Sequence, residues 1–175
     1  MILLLLIVSF LAHPLPEWQL NTSVEGGFQI YAPGLMEHTV QQIETEMGSV
    51  DYHSYYLDMK DDSTGSFIFV ASFYRLDEPI FPRDSVEAIY DFLSATVAQS
   101  AHSVDGEVIF MDDIRYKHEY PGRLWRIHFN NDQTVMKSRA YLVDNAFYSL
   151  QVAVDAEHAL SGLIDQYFDS FKLLQ

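Results

Sequence analysis

The sequence predicts an α+β domain: an antiparallel sheet of about seven or eight strands with helices packed on both faces, an α/β/α sandwich. Three observations predict it. Short β-branched and aromatic runs succeed one another across turns too short for a parallel crossover. One run, residues 67–74 (FIFVASFY), is apolar on both faces, as a covered central strand is. Two segments, 84–103 and 156–174, repeat their apolar residues at helical spacing.

The length of 175 residues fits one domain with one substantial core, and 49% hydrophobic with 14% aromatic residues is the composition of a chain that folds unaided. Residues 2–12 (ILLLLIVSFLA) form an uninterrupted apolar run with the length of a signal-peptide core, too short to span a bilayer comfortably. Pro14 and Pro16 separate this run from the body of the chain. Residues 1–16 are therefore read as a signal peptide or N-terminal hydrophobic segment with its linker, and 17–175 as a single domain, which implies a periplasmic or extracellular location. The chain has no cysteine, so disulfides, a lipid-modified cysteine anchor and a thiol nucleophile are excluded.

The elements run in order along the chain. FQIYAP at 28–33 alternates apolar and polar residues and ends at Pro33-Gly34. Residues 39–47 and 50–59 read as a hairpin turning at Gly48-Ser49, and 60–66 (KDDSTGS) as a loop before the central strand. In the first helix Asp84 or Ser85 can cap, and Val86, Ile89, Tyr90, Leu93 and Val97 share a face. Strands at 106–114, 124–130, 134–143 and 147–154 come next, separated by Pro121-Gly122, Asn131-Asp132 and Asp144-Asn145. The last helix, 156–174, aligns Leu160, Leu163, Ile164, Tyr167, Phe168 and Phe171.

A net charge of -15 with 10 basic residues opposes nucleic-acid binding and attraction to anionic membranes, both of which depend on clustered Lys and Arg. No transmembrane span is expected beyond an uncleaved N-terminal segment, and no cofactor is implied. No zinc spacing, G-x-S-x-G elbow or phosphate-cradling glycine loop is present. Two weaker arrangements are left as a metal alternative. His118 and His128 flank the turn read at Pro121-Gly122 and would meet across two strands, beside Asp112 or Asp113. Asp58, Asp61 and Asp62 with Gly65 form an oxygen-rich loop, although EF-hand spacing would put the glycine at Ser63 and the bidentate glutamate at Phe69. Asn21-Thr22-Ser23 fits the glycosylation sequon.

YPGR at 120–123, RAYLVDNAFYSL at 139–150 and FDSFKL at 168–173 resemble the C-terminal half of small exported bacterial proteins that look like distant members of the PsbP-like fold. The resemblance implies an α/β/α sandwich acting as a binding or assembly factor; no residues matching the photosystem contacts of that family are found. The leading expectation is thus a non-enzymatic exported domain binding an envelope or extracellular protein, through Arg123, Trp125, Arg139 and Tyr141 as surface anchors. The alternatives are a module binding a small ligand or a calcium or zinc ion, and a hydrolase with a site assembled from distant residues.

Overall fold

The computed structural model describes residues 17–45, 48–61, 65–78, 81–82 and 85–174. The apolar N-terminal run, Asp62 and Asp84 lie outside the described residues. Strand β1 (Gln19–Ser23) and β2 (Phe28–Ala32) open the domain, followed by β3 (Glu37–Thr45), β4 (Gly48–Asp61) and β5 (Gly65–Arg75). Helix α1 (Val86–Ser103) leads into β6 (Glu107–Tyr116), β7 (Tyr120–Phe129), β8 (Thr134–Val143) and β9 (Ala146–Asp155). A 3-10 turn (Ala156–His158), helix α2 (Gly162–Asp169) and β10 (Lys172–Leu173) close the chain.

Seven strands form one antiparallel sheet in the order β3-β4-β5-β9-β8-β7-β6, and β1-β2-β10 form a second, small antiparallel sheet. The run at 67–74 lies inside β5, between β4 and β9, as its apolar character requires. One face of the large sheet receives α1, which buries Ile89, Leu93, Val97 and Ala101 against Trp125, Ile127, Leu142 and Phe147. The other face is closed by the small sheet, with α2 beside it. Phe28, Ile30 and Ala32 of β2, Ile164, Tyr167 and Phe168 of α2, and Phe171 pack on Phe67, Phe69, Phe73, Leu150 and Val152.

This corrects the expected architecture. Helices do not cover both faces: among the described residues strands make up 57% and helices 20%, in two helices and two sheets. The reason lies at 156–174, where the spacing predicts one helix. Gly162 starts the helix late, Ser161 caps it by accepting from the Leu163 amide at 3.3 Å, and only eight residues are helical. Leu160, placed on the expected stripe, is 89% exposed. Beyond α2 the chain turns extended, so Lys172 and Leu173 pair with Gln29 and Phe28 of β2. At the first helix Ser85 is the cap residue but makes no side-chain capping bond, and Val86 is exposed instead of buried.

Two turn assignments are also corrected. Gly48 and Ser49 belong to β4, opposite Thr45 and Glu44. Pro121 and Gly122 belong to β7, opposite Arg115 and Ile114, and the turn comes earlier, where Lys117 and His118 adopt φ of 50° and 62°. Pro121 sits just beyond the β7–β8 ladder, whose first pair is Gly122 with Tyr141, and a ladder end is where a missing N–H costs least. Gly122 marks a close approach: a Cβ there would meet the Ala140 carbonyl oxygen and stand 2.6 Å from Tyr141 Cδ1. Asn21 of the sequon is buried, and its amide is fully engaged. It donates to the Gln19 and Gly34 carbonyls at 3.2 and 3.1 Å and accepts from the Met36 amide at 2.8 Å, a side-chain staple that leaves no nitrogen for a glycan.

Candidate functional site

Side chains alternate across a strand, so the register fixes which residues stand together on the α1 face. One row crosses four strands as Thr39, Ser54, Ser72 and Ser149. All four side chains are short, and all carry a hydroxyl. The adjacent row is aromatic: Tyr52, Tyr74 and Phe147, with Tyr74 directly opposite Phe147 and their ring centroids 5.3 Å apart. Helix α1 packs on β6 and β7, which leaves the neighbouring part of this face as a groove of about 550 Å³ beside the helix.

The floor of the groove is the outer surface of the core. Tyr74, Phe147 and Trp125 are buried, and Phe92 of α1 meets Phe147 edge-on at 5.6 Å. Thr96, Gln99 and Ser100 of α1 and Ser149 and Gln151 of β9 form a rim of hydroxyls and amides. None of the described residues lining the groove is acidic, basic or histidine, in a chain with 25 acidic and 10 basic residues. The two phenols are held neutral. Burial pushes Tyr74 up to about 12, with a further contribution from Tyr52; burial also raises Tyr52, opposed by its hydrogen bond to Ser72. Tyr52 donates to Ser72 Oγ at 2.7 Å, and Ser72 Oγ reaches the Ser149 carbonyl oxygen at 3.5 Å. On the far side of the hydroxyl row Trp125, Ser138 and Gln151 stand in register, and Trp125 Nε1 and Ser138 Oγ are buried without a protein hydrogen-bond partner.

The residues singled out from the sequence are dispersed by the fold. Arg123 and Trp125 lie on the α1 face, whereas Arg139 and Tyr141 lie on the opposite one. They form no common surface, and three of the four are buried: Arg123 is paired with Asp113 under α1, Trp125 is in the groove floor, and Tyr141 stacks on Phe171. Arg139 alone is half-buried, bonded to Asp169 at 2.8 Å and lying over the Phe168 ring. His118 is in the β6–β7 turn and His128 is opposite Glu107 at the far end of β7, eight positions beyond Tyr120 and so roughly 26 Å along the strand. They cannot share an ion. Asp58 is exposed on β4 beside Lys60, and Asp61 is the last residue of that strand. Among the described residues no group of three or more His, Cys, Asp or Glu is placed to hold a metal.

Sequence reasoning missed the groove because its residues come from β3, β4, β5, β7, β9 and α1. It also missed His53, which is buried and accompanied by His38 at 3.2 Å between Nδ1 and Nε2, their rings stacked in line with Phe73 and Tyr55. The available signal was a short stretch of alternation, Tyr52, Ser54 and Tyr56 in β4 and Ser72 and Tyr74 in β5, which places hydroxyl-bearing side chains on one face. In comparisons with models of known families and with curated proteins, no match to this chain is found.

Proposed function

We propose that the chain is a non-enzymatic binding domain that takes an uncharged, partly apolar small ligand in the groove between α1 and the sheet, and that its N-terminal run directs it to the periplasm or outside the cell. The observation that carries this reading is the charge-free lining of a 550 Å³ groove in a strongly acidic chain. That volume lies within the range of small-molecule sites, and an apolar floor with a few hydrogen-bonding groups at the rim is their usual build. A charged ligand would lose its hydration there without a counter-charge to replace it. Proton-transfer or nucleophilic chemistry needs groups poised near neutrality, and burial drives Tyr52 and Tyr74 away from it. The concave shape supports a small ligand over the protein surface expected from the sequence.

The test uses two naphthalene probes of similar size, neutral N-phenyl-1-naphthylamine and anionic 1-anilinonaphthalene-8-sulfonate. The neutral probe binds the wild type and gains fluorescence. The anionic probe binds more weakly, and Thr96→Trp, which fills the groove from α1, abolishes binding without lowering the melting temperature. Equal binding of both probes, or unchanged binding by Thr96→Trp, refutes the reading.

A further inference from the structure

The large sheet ends at β3 and β6, and the two edges are built differently. On β6 the register shifts between Val108 and Phe110, and Asp112 and Asp113 come just after. A bulge and adjacent charges are how proteins keep an edge from pairing. Strand β3 has no bulge, and its two charges, Glu37 and Glu44, stand apart near its ends. Its nine residues pair with β4 from Glu37–Tyr56 to Thr45–Gly48 without a break, and it contains no proline, no lysine and no arginine. Its positions are exposed or half-buried throughout, and among the described residues no strand lies on its outer side.

We propose that β3 is a self-association edge, pairing antiparallel with β3 of a second copy about a twofold axis through Gln41. The axis stands normal to the sheet and keeps each face continuous, so opposed residues must come from the same face. Centred on Gln41, the whole strand meets itself: Glu37 opposes Thr45, Thr39 opposes Ile43, Val40 opposes Gln42, and His38 opposes Glu44 twice, once on each side of the axis. The two glutamates of each strand thereby avoid one another. A shift of the centre by one residue toward either end loses both His38–Glu44 contacts. Directly opposed residues on antiparallel strands have Cβ atoms about 5 Å apart, within reach of a histidine–carboxylate bond. His38 engages His53 through Nε2, so Nδ1 is the atom from which the second copy's Glu44 would accept. Pairing in this register also sets the two ligand grooves on one face of a single continuous sheet, since Ile43 borders the groove. The inference does not depend on what the groove binds.

Gln41 is exposed and opposes itself, which gives a register-specific test on the full chain. Gln41→Lys and Gln41→Glu each place like charges across the axis, while an equimolar mixture of the two places opposite charges there. Sedimentation velocity in about 0.15 M salt, where the repulsion of two net charges of -15 is screened, is expected to show a wild-type dimer, two monomeric variants and a dimer in the mixture. The chain has no native cysteine, so Gln41→Cys is also expected to form a disulfide-linked dimer on oxidation. A wild type that stays monomeric to about 100 μM overturns the proposal, as does a dimer that both charged variants leave intact.

Discussion

Replacing Asp113 by alanine probes what fixes α1 to the sheet. Arg123 is buried, and its Nε and Nη2 both donate to Asp113 Oδ1, at 2.9 and 2.6 Å. Its Nη1 donates to Ser94 Oγ on α1, and its guanidinium lies 5.4 Å from the Tyr90 ring centroid on the same helix. One cation thus ties β6 to α1. Leaving a fully buried charge without its partner costs about 3–5 kcal/mol. The Asp113 side chain is 52% exposed, so water can reach the cation, which also keeps Ser94 and Tyr90; the expected loss is reduced to about 2 kcal/mol. Arg123→Met removes the charge together with its desolvation and leaves an apolar chain under the helix, for a loss of about 1 kcal/mol. The double variant is expected to match Arg123→Met alone, because Asp113 has no further role once the cation is gone. Urea unfolding followed by tryptophan fluorescence measures all four chains, and a loss of about 2 kcal/mol corresponds to a fall in Tm of about 4–8 °C. An Asp113→Ala chain within about 0.5 kcal/mol of the wild type would refute the reasoning, as would a double variant that loses the sum of both singles.

Gly122→Ala is expected to cost about 2–3 kcal/mol, read as a lower urea midpoint at unchanged slope, because the added methyl meets the backbone of β8 at Ala140, which cannot swing aside as a side chain would. At alkaline pH, Tyr74 stays protonated in the folded chain up to about 12 while the unfolded chain ionises near its ordinary 10, so the unfolded state binds fewer protons and stability falls between those values and not below them. Tyr74→Phe flattens that fall; identical pH slopes in the two chains would contradict the assignment.

How much was legible depends on which residues act locally. The hairpin of β3 and β4, the 134–143 strand and the Asp144-Asn145 turn are legible, because β-branched runs and left-handed Asp or Asn conformations are short-range effects. Pro121-Gly122 misleads for the opposite reason: Gly122 answers to Ala140 and Tyr141 on another strand, which a local rule cannot see. Tertiary packing likewise divides the C-terminal apolar stripe. Ile164, Tyr167 and Phe168 are buried from a helix and Phe171 from the link between that helix and β10, and helical spacing does not distinguish the two. Asp58, Asp61, His118 and His128 draw attention by residue type alone, while the groove is made of ordinary Ser, Thr, Tyr and Phe that only register brings together.

The groove is a consequence of how little sheet one helix can cover. Seven strands at about 4.8 Å spacing span roughly 29 Å between the outermost backbones, and a helix with its side chains is about 10–12 Å wide. Helix α1, held over β6 and β7 by Arg123, therefore leaves part of the same face without a helical cover. A second helix there would call for large apolar side chains on the sheet. The chain instead has Ser54, Ser72 and Ser149 in one row, too short to fill such an interface, and Ser72 is bonded to Tyr52 and the Ser149 carbonyl instead of to a covering helix. Ile68 shows the same choice further along β5, standing 43% exposed on the α1 face although its strand is central in sequence character. Short side chains in that row, with Ser72 tied to Tyr52, leave a polar-rimmed trough against an aromatic floor, so the groove is specified by strand chemistry as much as by where the helix stops.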